Sequence, residues 1–74
     1  MLTENEVRQM YEDQLERCVG HYFVAARDKS KEELYEAHVW TLSRLGTILG
    51  IDDKDSFAEI KARVKRVRDK SARI

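Results

Sequence analysis

The chain contains no proline and only three glycines in 74 residues, so it has few of the turn-forming positions that β-hairpins and β-sandwiches require. Hydrophobic residues make up 42 % and charged residues 38 %, a balance that is typical of a folded chain rather than a disordered one. A chain of this length forms one domain with a small core. The sequence therefore predicts a single all-α domain over residues 1–74.

Three hydroxyl residues each stand three positions before a glutamate, the spacing of the capping box that begins many helices: Thr3 with Glu6, Ser30 with Glu33 and Ser56 with Glu59. Together with the apolar periodicity that follows, these boxes predict helices at about 4–27, 31–49 and 56–72. The first connection is short enough to require an antiparallel helical hairpin. The expected architecture is this hairpin plus a short basic third helix, as a three-helix bundle or a dimeric helical bundle.

Apolar residues at three- and four-residue spacing predict the buried face of each helix. In the first helix they are Val7, Tyr11, Leu15, Cys18, Val19, Tyr22, Ala25 and Ala26. In the second they are Leu34, Ala37, His38, Thr41, Leu42, Leu45, Ile48 and Leu49, and the helix ends at Gly50 in the pattern of a left-handed cap. The third has a narrow seam of Phe57, Ile60, Val64, Val67 and Ile74.

The formal net charge is zero, but the charges are unevenly distributed along the chain. Residues 1–16 carry five acidic and one basic residue, a net charge of −4. Residues 57–74 carry seven basic and two acidic residues, a net charge of +5. The neutral total therefore does not exclude an anionic partner.

Few residues have catalytic or metal-binding chemistry. Cys18, His21 and His38 are too few for a four-ligand zinc site, and no oxyanion site accompanies them. The segment that begins with the aspartates of 52–55 lacks the glycine and glutamate of an EF-hand loop. These aspartates are better explained as favourable negative charge at the positive N-terminal end of the third helix. We therefore expect no enzymatic activity, no metal and no cofactor, with Cys18 packed as a small apolar residue.

The location expected from the sequence is the cytoplasm, without a membrane partner. The single cysteine excludes an intrachain disulfide. The first six residues lack the basic start and apolar run of a secretory signal. No stretch approaches the roughly 20 apolar residues of a membrane span.

Trp40 points away from the predicted buried face of the second helix, where the third helix or a second subunit would have to cover it. Large exposed aromatic residues are enriched at protein interfaces. His38 is expected to be half-buried or interfacial, and Tyr35 and Val39 add apolar surface. The sequence thus predicts a non-enzymatic interaction module with contacts at these four residues, and a homodimer or another protein as partner.

The alternative function is nucleic-acid binding. Gly50 and a polar turn before the third helix resemble a helix-turn-helix, and the helix offers cations for phosphate contacts: Lys61, Lys65, Arg66 and Arg68. Two observations weigh against it. The predicted turn is longer than the usual three or four residues, and the aspartates of 52–55 bring negative charge to the start of the helix.

The run LYEAHVWTLSRLGTILG, residues 34–50, resembles the second helix of small uncharacterised helical-hairpin proteins encoded by phages and prophages. The likeness covers about 17 residues and consists of generic apolar spacing. The resemblance suggests a protein of the phage or mobile-element type, and it implies no activity and no site.

Overall fold

The computed structural model describes residues 1–72, which form three helices: α1 (Glu4–Arg27), α2 (Glu32–Leu49) and α3 (Asp53–Ala72). A 3₁₀ turn, Lys29–Lys31, joins α1 to α2, and three residues, 50–52, join α2 to α3. Helix α1 packs along α2, and α3 contacts both. Over the described residues the chain has no strand, and the all-α prediction of a hairpin plus a third helix is confirmed.

The start of α1 is the capping box that the sequence predicts. The Glu6 amide donates to Thr3 Oγ1 at 3.2 Å, and the Thr3 amide donates to Glu6 Oε1 at 3.3 Å. These two bonds satisfy amides that have no partner within the helix. The first helix boundaries, 4–27, are confirmed.

The start of α2 differs from the prediction because Ser30 does not cap it. Asp28 Oδ1 accepts hydrogen bonds from the Ser30 amide at 3.0 Å and from Ser30 Oγ at 2.7 Å. Ser30 therefore lies inside the 3₁₀ turn, and α2 begins at Glu32 without a side-chain cap. The predicted box with Glu33 is wrong, since the nearby carboxylate is the stronger acceptor for the serine.

The start of α3 is three residues earlier than predicted, at Asp53. The Asp52 carbonyl accepts from the amides of Asp55 at 3.0 Å and Ser56 at 3.1 Å, so the first turn is already helical before Ser56. Asp53 and Asp55 favour this extension because their negative charges lie at the N-terminal end of the helix, where the helix dipole is positive. Ser56 is buried inside the helix, and its predicted capping box is wrong.

Side-chain contacts show the relative directions of the three helices. Tyr11 hydrogen-bonds Ser56 at one end of the bundle, and Tyr22 hydrogen-bonds Arg68 further along, so α1 and α3 run parallel. Tyr22 also meets Tyr35, while the Tyr11 ring lies near Gly46, so α2 runs antiparallel to both. The result is an up–down–up bundle in which α2 and α3 are antiparallel neighbours.

The core lies where the three helices meet. Its buried cluster comprises Tyr11, Leu15, Cys18, Leu42, Ile60 and Val64. Burial of a leucine side chain contributes roughly 1.5–3 kcal/mol, so these few residues supply much of the driving force for folding. Ile51 packs against the cluster just after Gly50, whose φ of 76° forms the left-handed cap that the sequence predicts.

The buried face of α2 is rotated from the predicted one. The buried or partly buried residues of α2 are Tyr35, His38, Val39, Leu42, Ser43, Leu45, Gly46 and Leu49. Leu34 and Ile48 were expected to be buried, and they are 46 % and 70 % exposed. The rotation places Gly46 against Ser56 and Tyr11. A Cβ atom at position 46 would lie only 3.3–3.4 Å from the neighbouring atoms, so the helices approach closely there. Ala37 and Thr41 are also exposed.

The apolar face of α3 is narrower than the predicted seam. Ser56, Ile60 and Val64 are buried at four-residue spacing. Phe57 and Val67 were expected in the seam, and each is 43 % exposed. Ile74, the last predicted member of the seam, lies outside the described residues. The exposure of Phe57 leaves an aromatic side chain on the surface beside α2.

Candidate interaction groove

An apolar groove of about 840 Å³ runs between α2 and α3. Its apolar walls are formed by Tyr22 from α1, by Tyr35, Val39 and Trp40 from α2, and by Phe57, Ile60 and Val64 from α3. It exists because α2 packs much more extensively on α1 than on α3, which leaves its outer side uncovered. A concave apolar surface of this kind is suited to receiving side chains of a partner.

Polar contacts hold both ends of the groove. At the turn end, Ser43 Oγ donates to Asp53 Oδ1 at 2.5 Å. At the far end, the Arg68 guanidinium donates to Tyr22 Oη at 3.2 Å and lies 5.5 Å from the ring centroid. The same tyrosine ring meets Tyr35 edge to face at 5.8 Å. These contacts fix the positions of both helices around the groove.

Trp40 and Phe57 are the exposed large apolar residues of the groove. Trp40 is 68 % exposed and Phe57 is 43 % exposed, so in the single chain neither α3 nor α2 covers them. The sequence predicted the orientation of Trp40 correctly. It placed Phe57 in the buried seam of α3, and that prediction is wrong. Two of the other expected contact residues, Tyr35 and Val39, also line the groove.

His38 lies elsewhere, on the side of α2 that faces α1. Its ring stacks on that of His21 with centroids 4.0 Å apart. Gln14 Nε2 donates to the His38 carbonyl at 2.9 Å and lies 2.9 Å from Nδ1. Since the carbonyl can only accept, the amide group of Gln14 is the donor, and Nδ1 must accept from it. His38 is therefore a neutral, half-buried residue of the helix interface rather than a neighbour of Trp40.

The surroundings of His38 make the stability of the fold depend on pH. Burial lowers its pKa below the usual value, and the nearby His21 and Arg17 lower it further. A group with a depressed pKa contributes stability above its unfolded-state pKa, near 6.5, and this contribution is lost as the pH falls towards the folded-state pKa. We expect a lower free energy of unfolding at pH 5 than at pH 7.5, measured with urea. The decrease should be smaller in His38→Gln; an equal decrease in both proteins would contradict the assignment.

The candidate cations of α3 do not share one face. Lys61, Lys65 and Arg68 line the groove. Arg66 lies on another side of the helix, where its guanidinium is 3.4 Å from Glu59. The four residues predicted as one nucleic-acid contact surface are thus divided between two sides of α3.

Arg63 is a structural residue that was not predicted from the sequence. Its guanidinium lies 2.9 Å from a Glu12 oxygen and 3.0 Å from Glu59 Oε1. Burial opposes its charge, but the bonds to Glu59 and Glu12 outweigh burial and raise the pKa of Arg63. The four-residue spacing of Glu59 and Arg63 was the available signal. Part of the opposite charge of α1 and α3 is therefore neutralised within one chain.

Cys18 is fully buried in the core, and burial raises the pKa of its thiol to about 11. Within residues 1–72, no three histidine, cysteine or acidic side chains come together in a way that would hold a metal ion. No helix in the same stretch has the length and apolarity needed to cross a membrane.

The sequence matches no known protein family, and neither the curated proteins nor the solved structures contain a significant match to this chain. The fold and the site define the protein only by class, as a three-helix bundle with an apolar, charge-rimmed groove.

Proposed function

We propose that this chain is a small non-enzymatic protein-interaction module that self-associates as a homodimer through the α2–α3 groove. The observation that carries the proposal is the exposure of Trp40, at 68 %, on the wall of an apolar groove. Tryptophan is among the residues that contribute most binding energy at interfaces, where its large surface becomes desolvated. A second copy would cover Trp40 and Phe57 together.

The small size of the chain also favours association. A domain of 74 residues buries a modest core, and small domains commonly gain stability from oligomerisation. A different protein that presents apolar side chains to the groove is the other occupant consistent with this class of function. The cytoplasm stays the expected location, because the only cysteine is a buried thiol.

Trp40→Ala should weaken self-association strongly, and Ile48→Ala is the matched control. Both residues lie on α2 and are similarly exposed, at 68 % and 70 %, but only Trp40 lines the groove. Sedimentation at several concentrations should give an increasing mass for the unmodified chain. We expect Trp40→Ala to raise the dimer Kd by roughly 30-fold, as for other hot-spot residues, and Ile48→Ala to change it by less than about twofold.

Two outcomes would contradict the proposal. One is a concentration-independent monomer for the unmodified chain, and the other is an equal weakening by both substitutions. Circular dichroism of each variant should show unchanged helicity, which separates the loss of an interface from the loss of the fold.

Nucleic-acid binding is the second candidate, and the observation in its favour is the turn before α3. The turn comprises residues 50–52 and is as short as that of a helix-turn-helix, whereas the sequence predicted a longer one. Asp53 and Asp55 in the first turn of α3 weigh against phosphate contacts there. Retention on duplex DNA across a salt gradient, compared with that of Lys65→Gln/Arg66→Gln, distinguishes this function from the first.

A further inference from the structure

We propose that the two copies are related by a two-fold axis parallel to the groove, so that α2 of each copy lies against α3 of the other. This inference rests on the proposed self-association and adds its geometry. The charges of the two lips of the groove favour this arrangement. The acidic lip is defined by Glu32 and Glu36 on α2, and the basic lip by Lys61, Lys65 and Arg68 on α3.

The two lips carry opposite charges along the same length of the bundle. Glu36 lines the groove, and Glu32 lies one helical turn before it, exposed and on the same side of α2. Lys61 and Lys65 are exposed on the opposite lip. Asp53 and Asp69 lie near the two ends of this lip and offset two of its three positive charges, so the α3 side of the groove keeps a net positive charge.

The antiparallel arrangement of α2 and α3 limits how two grooves can face each other. A two-fold axis parallel to the groove places α2 against the partner's α3, on both sides of the interface. A two-fold axis across the groove instead places α3 against the partner's α3 and α2 against the partner's α2. When the two grooves are aligned, these are the two closed arrangements that bring them face to face.

Electrostatics separates the two arrangements. The axis across the groove would bring two basic lips together and two acidic lips together, with repulsion in both places. The parallel axis pairs an acidic lip with a basic lip twice. It also directs each Trp40 towards the apolar side chains on α3 of the partner copy, including Phe57. Charge complementarity and apolar burial thus favour the same arrangement.

Charge reversal of one lip at a time tests the arrangement. The acidic-lip variant is Glu32→Lys/Glu36→Lys, and the basic-lip variant is Lys61→Glu/Lys65→Glu. With the parallel axis, each variant alone repels itself across both contacts, so its dimer Kd should rise at least tenfold. An equimolar mixture of the two variants should form a heterodimer with an affinity close to that of the unmodified chain. Added salt should reduce these differences.

The matched control is Arg66→Glu/Lys70→Glu, which changes the net charge by the same amount as the basic-lip variant on the same helix, at two residues that lie on another side of α3. It should leave the Kd within about threefold. If the unmodified chain dimerises and Trp40→Ala weakens it, but neither lip variant raises the Kd, the parallel axis is wrong and self-association stands. If the unmodified chain stays monomeric, the proposed function itself fails.

Discussion

Leu42→Ala is expected to lower the free energy of unfolding by about 2–5 kcal/mol, the range found for leucine truncation in well-packed cores. Leu42 is 0 % exposed and belongs to the central buried cluster with Leu15 and Ile60. Its truncation removes apolar contacts with the other two helices and leaves a cavity that a rigid bundle fills only in part. Because total stabilities are usually 5–15 kcal/mol, a domain this small would lose much of its stability.

Urea unfolding followed by circular dichroism measures the change, at a concentration where the chain is monomeric. Ile48→Ala on the same helix is the control, since its side chain is 70 % exposed, and we expect it to cost less than about 1 kcal/mol. Equal losses for both variants would mean that α2 does not present Leu42 to the core.

Ser56→Ala is expected to lower the free energy of unfolding by about 1–3 kcal/mol, because it leaves the buried hydroxyl of Tyr11 without a partner. The two hydroxyl oxygens are 2.7 Å apart, and Ser56 is 1 % exposed. Among the described residues, every buried side-chain polar atom has a hydrogen-bond partner. The substitution would therefore create an unsatisfied group where the fold otherwise has none.

A double-mutant cycle isolates this hydrogen bond. Tyr11→Phe alone leaves the serine hydroxyl unpaired, whereas Tyr11→Phe/Ser56→Ala removes both polar groups. The double variant should be more stable than the sum of the single losses implies. Strictly additive losses in urea unfolding would contradict the coupling of the two residues.

The same serine shows why local sequence patterns predicted some helix starts and not others. Thr3 and Glu6 form their capping box at an exposed helix end, where the hydrogen bonds of the two side chains are with each other and with each other's backbone amides. Ser56 has the same spacing to Glu59, but its hydroxyl bonds Tyr11, which is 45 residues away in the sequence. A contact at that separation depends on how α3 packs, and no local pattern contains it.

The face of α2 was predicted only in part, because the pattern of apolar residues favours large side chains. Leu34 and Ile48 fit a helical stripe, yet the helix turns Gly46 inward. At a close approach between helices, the smallest residue allows the tightest packing. Gly46 meets Tyr11 and Ser56, so the contact that joins α1 to α3 also fixes the rotation of α2.

The candidate site was predicted in part. The exposure of Trp40 followed from its position on the helical wheel, because the opposite side of α2 holds the core. The groove did not follow, since it depends on how far α3 lies from α2. His38 was grouped with Trp40, but Gln14 and His21 hold it on the α1 side. Gln14 is a buried polar residue that hydrophobic periodicity does not reveal.

Trp40 has a practical consequence that extends beyond its place in the groove. It is the only tryptophan of the chain, and it is mostly in contact with solvent. Its intrinsic fluorescence therefore reports on one location, the outer wall of the groove, with no contribution from another indole. Any molecule that occupies the groove would shield this single fluorophore from water and from soluble quenchers, so occupancy can be followed without a label.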